Sequence, residues 1–498
     1  MKKRVTALLL ALVLVFSACL TGCFEEEPVP TFTAPEYTGD LEFVTLTWYY
    51  PGNYPQNDQE EVFAALNAKI KSKINAEVRF MPISWGDYDQ KMTLADSAGE
   101  AYDLCFTSDW TNNYLQNVAK GAYLPLDELL KEYAPQTYAS VPEAYWDATR
   151  VNGQIYGIIN QQIIARSTMI SINKELADKY GFDPSAINNN LDNVVPYLQQ
   201  IAANEPNGIV PISMKFSAEN AYYYGIEMLA GDNNPCAIYM DDADAKVFNV
   251  FESEEFKSYV KMQSEWNKAG YTMGEDGLTS EDSFSISEGK RGAWISGTYK
   301  PGVQAEEISK WGLDMYCVPL STPYTSTSGV VATLNAVGRN SENPERAVML
   351  MELLNTDKEI YNMLVYGLEG KHWNKLEGDY IEIAPNSGYT TGTAWMFACT
   401  FNAYLLEGQD ADVWEQTKEM NATAKVSPLL GFNFDPSKVK TEIAQCSSLV
   451  SQYIPLFTYG IGTVEKEYAE FIDKLETAGA QRIIEEMQRQ IDDWKASK

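Results

Sequence analysis

Apolar and polar side chains alternate through residues 41–48, a β-rich run that reads as a strand. From about Asp58 the period lengthens, with Val62, Leu66, Ile70 and Ile74 at helical spacing. Residues 77–81 read as a second strand. A second helix opens at residues 85–91 and ends near Gly99, and residues 102–107 read as a third strand. This β-α-β-α-β order argues for an α/β fold with a parallel sheet covered by helices on both faces. Ligands of such sheets bind beyond the carboxyl ends of the strands. The order therefore puts residues 49–55, 82–88 and 107–114 on one rim, carrying Tyr49, Tyr50, Tyr54, Trp85, Tyr88, Trp110 and Tyr114. Any one of these rings can cover a hydrophobic edge, but seven in three loops exceed what packing needs, and the set points to a ligand.

Later segments continue the α/β character. Residues 167–172 read as a strand followed by a helix closing at Gly181, and residues 237–240 and 246–250 as a hairpin around Asp241, Asp242 and Asp244. Asn343-Pro344 and Asp435-Pro436 start helices. The last helix carries a core-facing stripe of Ile484, Met487, Ile491 and Trp494.

The N-terminus has a different pattern. A basic start, Lys2-Lys3-Arg4, precedes an apolar run over residues 5–20, too short for a comfortable membrane span, so residues 1–22 read as a signal peptide. Leu20-Thr21-Gly22-Cys23 resembles the bacterial lipobox, which makes Cys23 the lipidation site and the membrane a partner through that lipid. Residues 23–40 are acidic, contain prolines and lack apolar periodicity. They read as a tether with a reach of roughly 20–25 Å. The expected location is the outer face of the cytoplasmic membrane.

Composition then removes classes of function. Acidic residues outnumber basic ones 69 to 38, a net charge of -31 that repels phosphate backbones and makes nucleic acid an unsuitable partner. One histidine in 498 residues removes most zinc, haem and Ser-His schemes. The cysteines beyond Cys23 (Cys105, Cys236, Cys317, Cys399 and Cys446) are odd in number and widely spaced, so neither a disulfide framework nor a metal site is expected. Ser171-Ile-Asn-Lys174 matches Ser-x-x-Lys, yet its supporting motifs are missing, and the P-loop, nucleophile-elbow and zincin patterns do not occur. No cofactor and no enzymatic activity are expected.

Four stretches then carry a likeness: residues 46–52 (Leu-Thr-Trp-Tyr-Tyr-Pro-Gly), 85–89 (Trp-Gly-Asp-Tyr-Asp), 97–103 and 120–130. They resemble bacterial extracellular solute-binding proteins of family 1, the capture subunits of ABC importers. Residues 288–297, followed by Thr298 and Tyr299, resemble the segment where that fold sets a glycine turn and an aromatic at the cleft. Residues 366–373, 431–436 and 485–494 resemble the lipoprotein subgroup with a DUF3502-type C-terminal region, over about 366–498.

The resemblance implies a two-lobe periplasmic-binding-protein-like fold, type II and maltose-binding-protein-like, closing about a hinge. Lobe one would comprise 41–160 and 285–335, lobe two 161–284 and 336–498, with Asn160, Gln161 and Asn335 at the hinge. It also implies a carbohydrate ligand, an ABC permease as partner and a monomeric chain. A sugar has an apolar face and a belt of hydroxyls, which aromatic rings and carboxylates suit. Tyr50, Trp85, Asp87, Asp109, Trp110, Tyr299 and Trp395 are the candidates, with Glu369 and His372 added from the 366–373 motif. Two rival readings stay open at this point. One is a surface glycoside hydrolase using two carboxylates; the other is an adhesin that holds glycan or peptide without delivering it.

Overall fold

The computed structural model describes residue 32 and residues 35–205, 208–279 and 286–497. The leader, Cys23 and most of the tether lie outside the described residues. Among those described, no helix is long and apolar enough to cross a membrane.

The elements that build the site are, in chain order, β1 (Val44–Pro51), α1 (Gln59–Ile74), β2 (Ala76–Ile83), α2 (Tyr88–Ala98), β3 (Leu104–Thr107), β4 (Ile158–Ile159), β5 (Thr168–Asn173), β6 (Val210–Met214), β7 (Ile226–Met228), β8 (Arg291–Thr298), β9 (Met315–Pro319), β10 (Tyr324–Thr325), α3 (Thr327–Val331), β11 (Leu334–Val337), α4 (Pro344–Thr356), α5 (Val413–Thr423), β12 (Lys425–Val426), α6 (Lys440–Thr458) and α7 (Ala480–Ala496). One sheet has the order β2-β1-β3-β11-β4 and the other β9-β5-β8-β6.

The first three strands form as their alternation predicts and run parallel, Trp48 opposite Phe80 on one side and Leu104 on the other. Helix α1 ends at Asn75, whose left-handed backbone returns the chain straight into β2. The N-terminal ends of β11 and the C-terminal ends of the parallel strands share one edge, because β11 runs antiparallel with Leu334 opposite Thr107. That edge is the rim. The first core joins residues from Leu46 to Ile164 with residues from Val330 to Ala403. The second joins Ile170 to Leu320 with Leu429 to Ile491 and receives both α6 and α7. In α7 the fully buried positions are Ile483, Met487 and Ile491, with Ile484 and Trp494 at the margin.

Two lobes are present, but their composition differs from the expected partition. Residues 286–319 belong to lobe two, since β8 pairs with β5 and β6 and β9 pairs with β5. Residues 334–403 belong to lobe one through β11 and α4. Among the described residues the chain therefore crosses between lobes three times, near residues 161–167, 320–329 and 424–428. Backbone bonds tie the crossings into one ribbon: Arg166 and Tyr324 exchange N–H···O bonds of 2.8 and 2.9 Å, and β10 pairs in parallel with β12.

The expected hinge residues sit differently. Asn160 and Asn335 are buried in lobe one, where the Asn335 carboxamide donates to Asn160 Oδ1 (2.9 Å) and accepts from the Trp48 indole (3.1 Å). Both asparagines also donate to Met396 O, at 2.7 and 3.2 Å. They lock the sheet end rather than flex. Gln161 begins the first crossing but is held to lobe one by backbone bonds with Ala398 and Thr400.

Candidate functional site

The rim loops of lobe one are held by short polar bonds that leave their tips outward. After β2, Ser84 donates to Asp87 and closes the turn that carries Trp85. After β3, Asn112 takes a left-handed conformation and donates to Phe106 O at 2.8 Å. Asp89, in the first turn of α2, accepts from Thr111 Oγ1 and Asn112 N, both at 2.6 Å, so the helix braces the loop. The loop tip is Trp110, whose indole N–H donates to Ala332 O at 2.9 Å. A third tryptophan arrives from far along the chain, where Tyr361 holds Ala394 O at 2.8 Å and so fixes the turn bearing Trp395.

The three indoles form one platform. Ring centroids are 6.0 Å apart for Trp85–Trp110, 6.3 Å for Trp85–Trp395 and 6.1 Å for Trp110–Trp395. Buried Phe106 supports Trp110 and Trp395 from below at 5.9 and 6.1 Å. Trp110 is 51% and Trp85 39% exposed, which is unusual for residues that bury so much area when covered.

Beside the platform, Asp109 accepts a hydrogen bond from Ser328 of α3 through Oδ2, while its Oδ1 is buried without a donor among the described residues. Burial pushes this carboxyl up from its ordinary value. Ser328 and the Arg166 guanidinium oppose that shift, and Asp232 of lobe two adds to it. Lobe two brings its own polar edge to the same place. Arg166 donates to Thr298 Oγ1 (3.0 Å), which donates to Glu219 Oε1 (2.8 Å), and Gly297 N donates to Glu219 Oε2 (3.2 Å). Tyr222 meets Ser326 at 3.1 Å between the lobes. Rings on one wall and charge-braced hydroxyls on the other suit a ligand with apolar faces and hydroxyl edges.

The expected site residues separate into two groups. Trp85, Asp109, Trp110 and Trp395 are brought together, and Asp87 shapes the Trp85 turn. Tyr299 is half-buried and stands on lobe two at the end of β8, its N–H bonded to Ser167 O at 2.8 Å. Tyr50 is a core residue, packed edge-on against Trp48 and Phe397 at 5.5 and 5.2 Å. Tyr49, Tyr88 and Tyr114 are buried with it; Tyr88 donates to Phe106 O at 2.8 Å and Tyr114 to Thr149 O at 2.6 Å, pinning the rim from beneath.

His372 is fully buried. Its Nδ1 accepts from Leu368 N at 2.8 Å, so Nε2 carries the proton and faces Asp58 Oδ2 at 3.2 Å. With both nitrogens committed, it closes a turn against the start of α1 and is not available to a ligand. Glu369 is exposed on that turn and bridged to Trp373. The residues that sequence reasoning missed are Phe106, Arg166, Glu219, Tyr222, Asp232 and Ser328. One signal was available: Arg166 is the sole arginine between Arg150 and Arg291 and stands directly before a strand. Among the described residues, no group of three or more His, Cys, Asp or Glu side chains is arranged to hold a metal ion.

Residues 56–360 match the family described as bacterial extracellular solute-binding protein, and residues 428–496 match a domain of unknown function, DUF3502. The latter begins where the third crossing ends, so the region is narrower than the 366–498 expected. A protein of Streptococcus pneumoniae serotype 4 described as a carbohydrate ABC transporter substrate-binding protein is 30% identical over 474 residues, 93% of this chain and 92% of that protein. The crystal structure of the N-glycan transport solute binding protein NgtS from Streptococcus pneumoniae superposes with a TM-score of 0.81 at 28% identity, covering 91% of this chain and all of that one. The same protein in complex with Man5GlcNAc gives 0.75 at 29% identity, over 91% of this chain and 99% of that one. The alginate-binding protein AlgQ2, at 16% identity and a TM-score of 0.59, over 90% of this chain and 98% of that one, shares the fold.

Proposed function

The chain belongs to the bacterial extracellular solute-binding protein family, and from that premise we propose that it captures an oligosaccharide between its lobes and delivers it to an ABC permease. The observation that carries this reading is the three-tryptophan platform beside Asp109, with Trp85 and Trp110 exposed. Trp85, Trp110 and Trp395 stack on sugar faces. Asp109, Arg166, Asp232 and Tyr299 meet the hydroxyls, and Asp87 holds the Trp85 turn in place. Support comes from the relative's complexes with Man1GlcNAc and Man5GlcNAc, which make mannose-containing N-glycans the first ligands to test.

Binding begins on lobe one, whose platform is preformed. Rotation about the three-stranded ribbon then brings the edge around Thr298 onto the sugar. A ligand held by both lobes favours the closed form in proportion to the contacts that only closure makes. The permease reads closure, so the sugar leaves chemically unchanged and the protein acts without catalysis. Lipid on Cys23 and the acidic tether hold a monomeric body beside the permease at the outer face of the membrane. Radiolabelled palmitate is incorporated into the chain and not into its Cys23→Ala form; label in both forms overturns the anchor.

The decisive experiment is calorimetric titration of the mature chain with mannose, Man1GlcNAc and Man5GlcNAc, paired with X-ray scattering. Affinity rising with length, intact recovered glycan and a smaller radius of gyration on binding are expected. Absence of binding across the series overturns the reading, and released monosaccharide replaces it with a hydrolase.

A further inference from the structure

A cavity of about 540 Å3 opens in lobe one beside the first crossing. None of the platform tryptophans, nor Asp109, nor any residue of lobe two lies in its wall. It is bounded by residues 136–145, by Ile159 of β4, by the crossing itself (Gln161, Gln162, Ile164), by the end of α4, by residues 399–402 and by the last turns of α5. Its size falls within the roughly 300–1,000 Å3 of small-molecule sites.

The lining defines the ligand class. Its polar side chains are almost all neutral amides and hydroxyls, and two rings, Tyr145 and Phe401, face the same space. The single charged residue, Lys418, is paired with Glu415 at 2.7 Å, and its ammonium lies 5.2 Å from the centre of the Phe401 ring. An anion would have to compete for that ammonium, whereas a neutral polyhydroxyl molecule needs no counter-charge. Gln161 donates to Asn355 Oδ1 at 2.9 Å and its own Oε1 has no partner among the described residues, which leaves an oriented acceptor on a fixed side chain. Amides beside aromatic rings are the chemistry of saccharide recognition.

We infer that this cavity is a second site for a neutral saccharide, separate from the tryptophan platform; the inference rests on the saccharide reading given above. Its position gives occupancy a consequence. Asn421 of α5 accepts from Ile164 N and Ala165 N at 2.8 and 3.0 Å and donates to Gln162 O at 2.8 Å. The cavity wall and the crossing are therefore one bonded unit, and a sugar seated there stiffens the ribbon about which the lobes rotate.

The test is titration of the full mature chain with Man5GlcNAc and with mannose, in the wild type and three variants. Trp110→Ala removes the platform contact. Ala422→Trp and Ser140→Trp, both at exposed lining positions, each set an indole in the cavity. Two sites are expected in the wild type. Trp110→Ala weakens the tighter one at least fivefold and leaves the other within twofold, whereas either cavity variant weakens only the second, at least tenfold. A stoichiometry of one for both glycans overturns the second site and leaves the platform standing, as do cavity variants that change neither affinity. No binding at all overturns both.

Discussion

Glu227, on β7, is buried against the ribbon that joins the lobes. One carboxylate oxygen accepts from Tyr324 of β10 and from Ser427, just past β12, both at 2.7 Å. The Tyr222 ring lies 5.7 Å from that of Tyr324. Burial outweighs the two hydroxyls and pushes the Glu227 carboxyl from 4.5 up to about 7. The folded protein therefore holds this proton more tightly than the unfolded chain. The group's contribution to stability is fully present below pH 4.5, declines as pH rises, and is lost above about 7. At 1.36 kcal/mol per unit, the shift corresponds to about 3 kcal/mol between those limits. Glu227→Gln keeps a neutral carbonyl acceptor for both hydroxyls and removes the titration. The variant is expected to be about 3 kcal/mol more stable than wild type at pH 8 and equal to it near pH 4.5. Urea unfolding followed by tryptophan fluorescence at both pH values measures the difference, in which all other titrations cancel to first order. A gain of the same size at both pH values, or none at pH 8, refutes the argument.

Three further outcomes are expected. Trp110→Ala weakens glycan binding by about 1–3 kcal/mol while the chain stays folded, because the ring is half exposed in the free protein; calorimetry and a melting curve measure the two separately. His372→Ala orphans the Leu368 N–H and opens a void, lowering stability by about 1–3 kcal/mol in urea titrations with glycan affinity unchanged; an altered affinity would return His372 to the site. Trp48→Phe leaves Asn335 Oδ1 buried without its donor and is expected to cost about 1–3 kcal/mol in the same assay.

The strands and helices at the start of the chain were legible because their signals are local. Alternation over 41–48 and helical spacing from Val62 to Ile74 match β1 and α1 to within a few residues. The rim was legible for the same reason, since parallel strands must end together. Which rings stand on the rim was not. Tyr88 and Tyr114 sit in or beside loops yet turn inward, each burying its ring and satisfying its hydroxyl on a backbone carbonyl, whereas Trp85 and Trp110 stack on each other and remain partly exposed. Residue type does not make the division either, since Tyr54 on the same rim is 54% exposed.

The amino-acid sequence alone determined the α/β class, the family and the edge at which the parallel strands end together, since each depends on neighbours within a few residues or on short motifs. Tertiary structure decided the rest. Trp395 joins Trp110 and Trp85 across 285 and 310 residues of chain, Glu227 reaches Ser427 across 200, and β8 and β9 pair with β5 in the lobe opposite to the one expected. Those contacts are chosen by which burial and pairing the whole chain can satisfy at once, and no local periodicity encodes that choice.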